Sequence, residues 1–241
     1  MMAIGVFVFG VIIGSFLNVV IYRVPKKQSI SLPASHCQSC NTPLAWWHNI
    51  PLISWIILRG ECFFCHAPIS KRYFFVELAT GIIFVLIYFK LGFVWHLPFV
   101  WATFAALFAL SMIDFDYMAV PDSINIIALI FALVQPDFLS ALLYGAIAAI
   151  GLYSAGWIAS KLAKKEAMGG ADVIVAGTMG ALLGFPLFFI AIFISAILAL
   201  VPALVWRDKG VPFVPFLSLA TLLVYLYEAQ FLEITQKVIY G

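Results

Sequence analysis

Hydrophobic runs of roughly membrane-spanning length recur along this 241-residue chain, near 2–22, 73–90, 97–113, 123–135, 138–160, 172–185, 187–206 and 212–230. A helix rises about 1.5 Å per residue and a bilayer core is about 30 Å thick, so about 20 apolar residues cross it. The chain is 65% hydrophobic and 10% charged, whereas soluble domains are about 45–50% apolar and about 25% charged. No water-soluble fold could cover so much apolar surface. The expectation is an all-α polytopic membrane protein of about eight transmembrane helices, with the lipid bilayer as its partner. The run from Met2 to Tyr22 lacks a basic leader and a small-residue cleavage site and ends in Arg23, Lys26 and Lys27. It reads as a retained first span rather than a signal peptide. A net charge of +2 gives no reason to expect nucleic acid.

The basic residues orient these spans. With segment 23–72 on the inner side, that side carries Arg23, Lys26, Lys27, Arg59, Lys71, Arg72, Lys161, Lys164, Lys165, Arg207 and Lys209. The outer side then carries only Lys90 and Lys237, as the positive-inside rule requires. Three segments follow: a first transmembrane span at 1–22, a cytoplasmic insert at 23–72 and a helical membrane region at 73–241.

The insert holds all four cysteines, three of the four histidines and five of the twelve prolines. Cys37-x2-Cys40 and Cys62-x2-Cys65 each place two thiols on one tight turn, the spacing of a tetrahedral four-cysteine zinc site. Disulfides or free thiols compete with that reading, but cytoplasmic thiols stay reduced. Four thiolates fill the coordination shell, so the zinc would be structural and the insert would depend on it for folding. His36, His48 and His66 read as surface or neighbouring groups, and Trp46, Trp47 and Trp55 as packing or interfacial residues. No internal repeat is evident.

Acids in or beside spans are costly and usually functional. Asp137, Asp208 and Glu233 fall in turns or the tail, Glu61 in the insert, and Glu77 and Glu228 within runs, where they must face a protein interior or a polar cavity. Asp122 reads as an N-cap or first-turn acid. Asp114 closes a strongly apolar run and has no such local explanation. Asp172 follows Gly169, Gly170 and Ala171 at the inner start of the sixth run, where an N-cap role competes. Brought together, two such carboxylates share one proton. The ionised one can activate water while the protonated one polarises a carbonyl, which is aspartyl protease chemistry.

The chain resembles the bacterial type IV prepilin peptidases, bifunctional leader peptidase/N-methyltransferases of the GxGD intramembrane aspartyl protease group. The resemblance rests on Gly14 through Pro25, Ser35 through Cys40, Asn49 through Trp55, Leu58-Arg59-Gly60, Cys62 through Cys65, Ile69 through Tyr73, Val76 through Gly81, Ile113-Asp114, Pro121-Asp122, Glu166 through Asp172 and Val211 through Phe216. It implies Asp114 and Asp172 as the catalytic aspartates of a peptidase domain at 73–241, in the bacterial inner membrane. It implies that leader peptides of prepilins or pseudopilins are cut at the cytoplasmic face after a glycine. It also implies methylation of the new N-terminus from S-adenosylmethionine, an activity associated with the cysteine insert. Arg59, Arg72, Glu77 and Asn18 are candidates for the methyl-donor site because they lie in matched motifs.

Three positions depart from the family pattern. Ala171 stands at the second defining glycine, Ile174 where lysine is common, and Phe74 where proline is frequent. The extra methyl of Ala171 would cost about 1 kcal/mol or more only if the backbone there needed positive φ. Two other classes compete with the peptidase. A proton- or cation-coupled transporter would line one path with Glu77, Glu228 and the aspartates, and a non-catalytic pilus or secretion assembly factor would use the zinc insert to bind a partner.

Overall fold

The computed structural model describes residues 1–164, 169–205 and 210–240. Lys165, Glu166, Arg207, Asp208 and Lys209, which entered the charge and motif readings above, lie outside the described residues. The chain divides into two compact units, Met1–Gly92 and Phe93–Gly241. Among the described residues there are ten α-helices and no named strand, as a chain whose backbone must satisfy itself in lipid requires.

The first unit comprises α1 (Met2–Arg23), a 3-10 turn at Trp46–His48, α2 (Ile53–Ile57) and α3 (Lys71–Leu91). Helices α1 and α3 pack against each other, and small residues set how closely. A Cβ on Gly14 would lie 2.7 Å from the Glu77 Cα, and one on Gly10 would lie 2.9 Å from the Gly81 Cα. Close backbone approach of this kind is how apolar helices associate where lipid removes the hydrophobic drive. Helix α3 starts at Ser70, whose hydroxyl accepts from the Arg72 N–H, and stops at Gly92, where φ is 67°.

The second unit comprises α4 (Leu97–Tyr117), α5 (Asp122–Ala132), α6 (Phe138–Ala163), α7 (Gly170–Leu183), α8 (Leu187–Val205), α9 (Val214–Leu226) and α10 (Glu228–Tyr240). Helix α7 is central, packed against α5, α6, α8 and α9. Its run from Val175 to Ala181 is wholly buried. Gly180 meets the Tyr144 carbonyl of α6 so closely that no side chain fits between them.

Each of the eight expected apolar segments forms a helix. Five of these (α1, α3, α4, α6 and α8) are long and apolar enough to span a membrane, and α9 with α10 makes a sixth only as a pair bent by 85°. Helices α5 and α7 have 11 and 14 residues, about 16 and about 21 Å at the helical rise. Runs of that length suit helices buried among other helices, and the apolarity of α7 reflects burial in protein. The 212–230 run breaks after Leu226, so Glu228 opens α10 beyond the bend, half-buried, rather than standing within a straight span. Glu77 faces the protein interior as expected, 7% exposed.

Gly14→Val should lower the thermal midpoint of the detergent-solubilised protein, through overpacking of about 1–3 kcal/mol. Gly5→Val should leave it unchanged, because a Cβ at Gly5 meets nothing within 4 Å.

Candidate active site and metal centre

In the insert, the two cysteine pairs sit on knuckles that repeat each other's backbone. The Cys37 N–H donates to the Thr42 carbonyl at 3.0 Å, the Asn41 N–H to the Cys37 carbonyl at 2.9 Å, and the Leu44 N–H to the Ser35 carbonyl at 2.8 Å. Twenty-five residues on, the Cys62 N–H donates to Ala67 at 2.9 Å, His66 to Cys62 at 3.0 Å and Ile69 to Gly60 at 2.6 Å. Asn41 and His66 occupy the same left-handed turn position, with φ of 56° and 57°. The expectation of no internal repeat is corrected here: Cys37, Cys40 and Pro43 recur as Cys62, Cys65 and Pro68, and the backbone hydrogen bonds recur with them.

The knuckles bring the Sγ atoms of Cys37, Cys40, Cys62 and Cys65 within 4.8 Å of one another. The Cys37 and Cys65 sulfurs are 3.8 Å apart. A disulfide needs about 2.05 Å, whereas four thiolates at about 2.3 Å from a tetrahedral ion stand about 3.8 Å apart. The cluster therefore fits a metal ion. No histidine belongs to it. The His36 ring nitrogen contacts the Ala34 carbonyl at 3.0 Å, His48 stacks on Phe63 at 4.9 Å, and His66 lies 3.7 Å from Glu61.

Local donors prepare the thiols for a cation. The Cys40 and Ser39 amides lower Cys37, the Thr42 hydroxyl and amide lower Cys40, and the Cys65 and Phe64 amides lower Cys62. Cys65 goes the other way. The Ala67 amide lowers it, but desolvation and the three neighbouring cysteines together push it up to about 12. Without a cation the cluster keeps at least one proton, and a bound divalent ion would displace it.

In the second unit, Asp114 lies in the last turn of α4 and is 6% exposed. The helix runs on to Tyr117 and closes at Met118, a left-handed cap with φ 51°. The Asp114 Oδ2 accepts the Val214 N–H at 3.1 Å, from the first residue of α9. Asp172 is a first-turn acid of α7, three residues past its N-cap Gly169. Its amide donates to the Gly169 carbonyl at 3.2 Å. Burial pushes the Asp172 carboxyl up to about 6, and the Asp114 charge adds to the rise. Helices α5 and α9 each pack against both α4 and α7, the helices that carry the two acids. Asp122 opens α5 as a first-turn acid, with Pro121 in the cap position.

Ala171 is the second residue of α7, in right-handed helical backbone. The positive φ that would have penalised alanine is not required there. The Ala171 carbonyl accepts the Asn125 side-chain amide of α5 at 2.9 Å, and Asn125 is fully buried. The sequence reading passed over Asn125, although a lone asparagine in the apolar run 123–135 was a visible signal. It also missed the Val214 and Leu52 amides, since a backbone donor leaves no mark in the sequence. The Leu52 N–H donates to Glu77 Oε2 at 2.8 Å.

Residues 8–91 match the bacterial peptidase A24 N-terminal domain, and residues 100–204 match the type IV leader peptidase family. The prepilin leader peptidase/N-methyltransferase of Stutzerimonas stutzeri is 33% identical over 259 residues, covering 92% of this chain and 90% of the relative. The type 4 prepilin-like proteins leader peptide-processing enzyme of Escherichia coli is 36% identical over 256 residues, covering 92% and 93%. The prepilin leader peptidase/N-methyltransferase of Myxococcus xanthus is 38% identical over 187 residues, covering 75% of this chain and 56% of the relative's length. No solved structure gives a significant match. The chain belongs to the type IV leader peptidase family.

Metal analysis of the purified protein should find one divalent ion per chain, and Cys37→Ser should lower that content. Thiolates bind the ion and thiols do not, so occupancy should hold at neutral pH and fall on acidification towards about pH 5. A chelator competition run across that range measures the loss.

Proposed function

We propose that this member of the type IV leader peptidase family is a membrane-embedded aspartyl peptidase that removes prepilin or pseudopilin leaders and then N-methylates the new N-terminus. Its catalytic pair is Asp114 and Asp172. The observation that supports this reading most is that α5 and α9 each pack against both α4 and α7, the helices that carry the two acids, within one helical unit. Like charges brought together resist double ionisation, so one proton is shared between them. The ionised carboxylate takes a proton from water as it attacks the scissile carbonyl. The protonated one hydrogen-bonds the carbonyl oxygen and later protonates the departing amine. The Val214 amide at the start of α9, which Asp114 accepts, supports Asp114 as the water-activating carboxylate and Asp172 as the carbonyl-activating one.

The distribution of basic residues supports a position for these acids at the cytoplasmic face, in the bacterial inner membrane. The peptidase region expected at 73–241 is narrowed here to the second unit, Phe93–Gly241, because α3 packs with α1 in the first, and residues 23–72 are the methyltransferase-associated insert. Four cysteine thiolates are a soft, complete tetrahedral set, which supports zinc in a structural role. S-adenosylmethionine is the methyl donor, and it would supply an activated methyl group. The helical backbone at Ala171 removes the main argument for a non-catalytic assembly factor.

Asp114→Asn and Asp172→Asn should each reduce cleavage of a prepilin peptide by about 10²–10⁴-fold or more, with metal content and membrane insertion unchanged. Wild-type cleavage by both single variants would overturn the catalytic pair. Ion flux into proteoliposomes without any cleavage would favour the transporter.

A further inference from the structure

A cavity of about 740 Å³ opens within the first unit, bounded by the end of α1, the start of α3 and the knuckles, with Asn18, Arg23, Cys37, Trp55, Tyr73 and Glu77 in its lining. That volume suits a small-molecule ligand, since such sites run to about 300–1,000 Å³. Of the four residues that the sequence resemblance offered as donor-site candidates, Asn18 and Glu77 line the cavity, and Arg59 and Arg72 stand outside its lining.

The polar groups here have different degrees of satisfaction. Asn18 donates to the Tyr73 carbonyl at 3.1 Å and so ties α1 to α3. Arg23 donates to the Ser29 carbonyl at 3.0 Å and to the Pro33 carbonyl at 2.8 Å, holding the strap that follows α1. Its guanidinium is committed to those carbonyls. Glu77 is 7% exposed, accepts the Leu52 amide at 2.8 Å and has the Ser15 hydroxyl as a second, neutral donor. Among the described residues no basic side chain pairs with it. A buried carboxylate in that condition is short of positive charge. Leu52 is held at φ 62°, ψ −49°, a backbone state that a leucine rarely occupies, with its amide turned onto the carboxylate. Strain of this kind persists only where surrounding structure imposes it.

We propose that this cavity is the methyl-transfer site and that Glu77 is its base, pairing with the ammonium of the newly exposed N-terminus and taking its proton. The inference rests on the N-methyltransferase reading above and adds the residue and place. The ammonium gives one proton to the Glu77 carboxylate, and the freed nitrogen lone pair attacks the methyl carbon of a sulfonium donor. A carbon–nitrogen bond forms, the carbon–sulfur bond breaks with its electron pair returning to sulfur as a thioether, and the nitrogen ends as a singly methylated ammonium. The rings of Trp55 and Tyr73 in the same lining suit a cationic donor. Cys37 and Cys62 also line the cavity, so the cysteine knuckles form part of its wall.

The test uses the full chain in detergent with Glu77→Gln, which keeps an oxygen for the Leu52 amide and removes the charge. Cleavage of prepilin should stay within about twofold of wild type, while methylation, read by mass spectrometry of the new N-terminus, should fall at least about 100-fold. Binding supplies a second readout that needs no turnover. Wild type should prefer a synthetic peptide of the mature prepilin N-terminus with a free amine over its N-acetylated form, and Glu77→Gln should lose that preference. Glu77→Asp, which restores charge, should recover part of both signals. Wild-type methylation by Glu77→Gln, an unchanged preference for the free amine, or loss of cleavage together with methylation would each overturn the assignment. A wild-type chain that fails to cleave removes the peptidase reading alone, because the peptide preference still decides on Glu77.

Discussion

A carboxylate set beside hydrocarbon needs donors, and in each unit of this protein one of them is a backbone amide from a separate segment. Val214 donates to Asp114, and Leu52 donates to Glu77. In both cases the acid lies on a long apolar helix and the amide stands at or beside the start of another: Val214 is the first residue of α9, and Leu52 caps α2. Such amides bring no counter-charge and no flexible side chain. They fix the carboxylate while leaving its charge available to whatever enters the site. The helix ends around these acids have to be placed accurately for that to work, and the glycine contacts between α1 and α3 and between α6 and α7 set the spacing of the helices.

Much of this was legible from residue order alone. Apolar runs mark helices because lipid and buried protein impose the same demand on side chains. That shared demand is also why the runs at 123–135 and 172–185 could not be told from full spans, although α5 and α7 are short. Cysteine spacing was readable because a knuckle is a local object closed within about five residues. Asp114 and Asp172 stood out because acids are rare in this chain, but their mutual approach depends on how α5 and α9 bridge α4 and α7. That is a property of packing. Asn125 was missed for a different reason: its partner is the Ala171 carbonyl, 46 residues away, and no side-chain pattern announces a carbonyl. The concern raised by Ala171 was resolved by dihedral angles, which sequence does not carry.

The insert buries little core of its own. Trp46 is 75% exposed, and Trp47, Ile56 and Ile57 are exposed beside it, so the segment between the knuckles presents apolar side chains instead of burying them. Its order comes from elsewhere. The Ser54 hydroxyl donates to the Trp47 carbonyl at 2.6 Å, and the Trp55 ring packs on Phe74 of α3 at 5.3 Å. Because α1 and α3 flank the insert and are themselves long enough to cross a bilayer, the surface available to those apolar groups is the membrane interface, where tryptophan is at home.

The duplicated knuckles bear on how such a protein can drift over evolutionary time. Each closes on its own hydrogen bonds, between Cys37 and Thr42 in one case and Cys62 and Ala67 in the other. The stretch that joins them is therefore a tether whose length neither knuckle reads, and loop-closure entropy grows only slowly with added residues. Insertions and deletions can accumulate in that stretch away from Leu52 and Trp55, which are held against α3, whereas a single residue gained between Cys37 and Cys40, or between Cys62 and Cys65, would move a ligand off its vertex. Variation in length among related chains should concentrate in that tether, with the two three-residue intervals held constant.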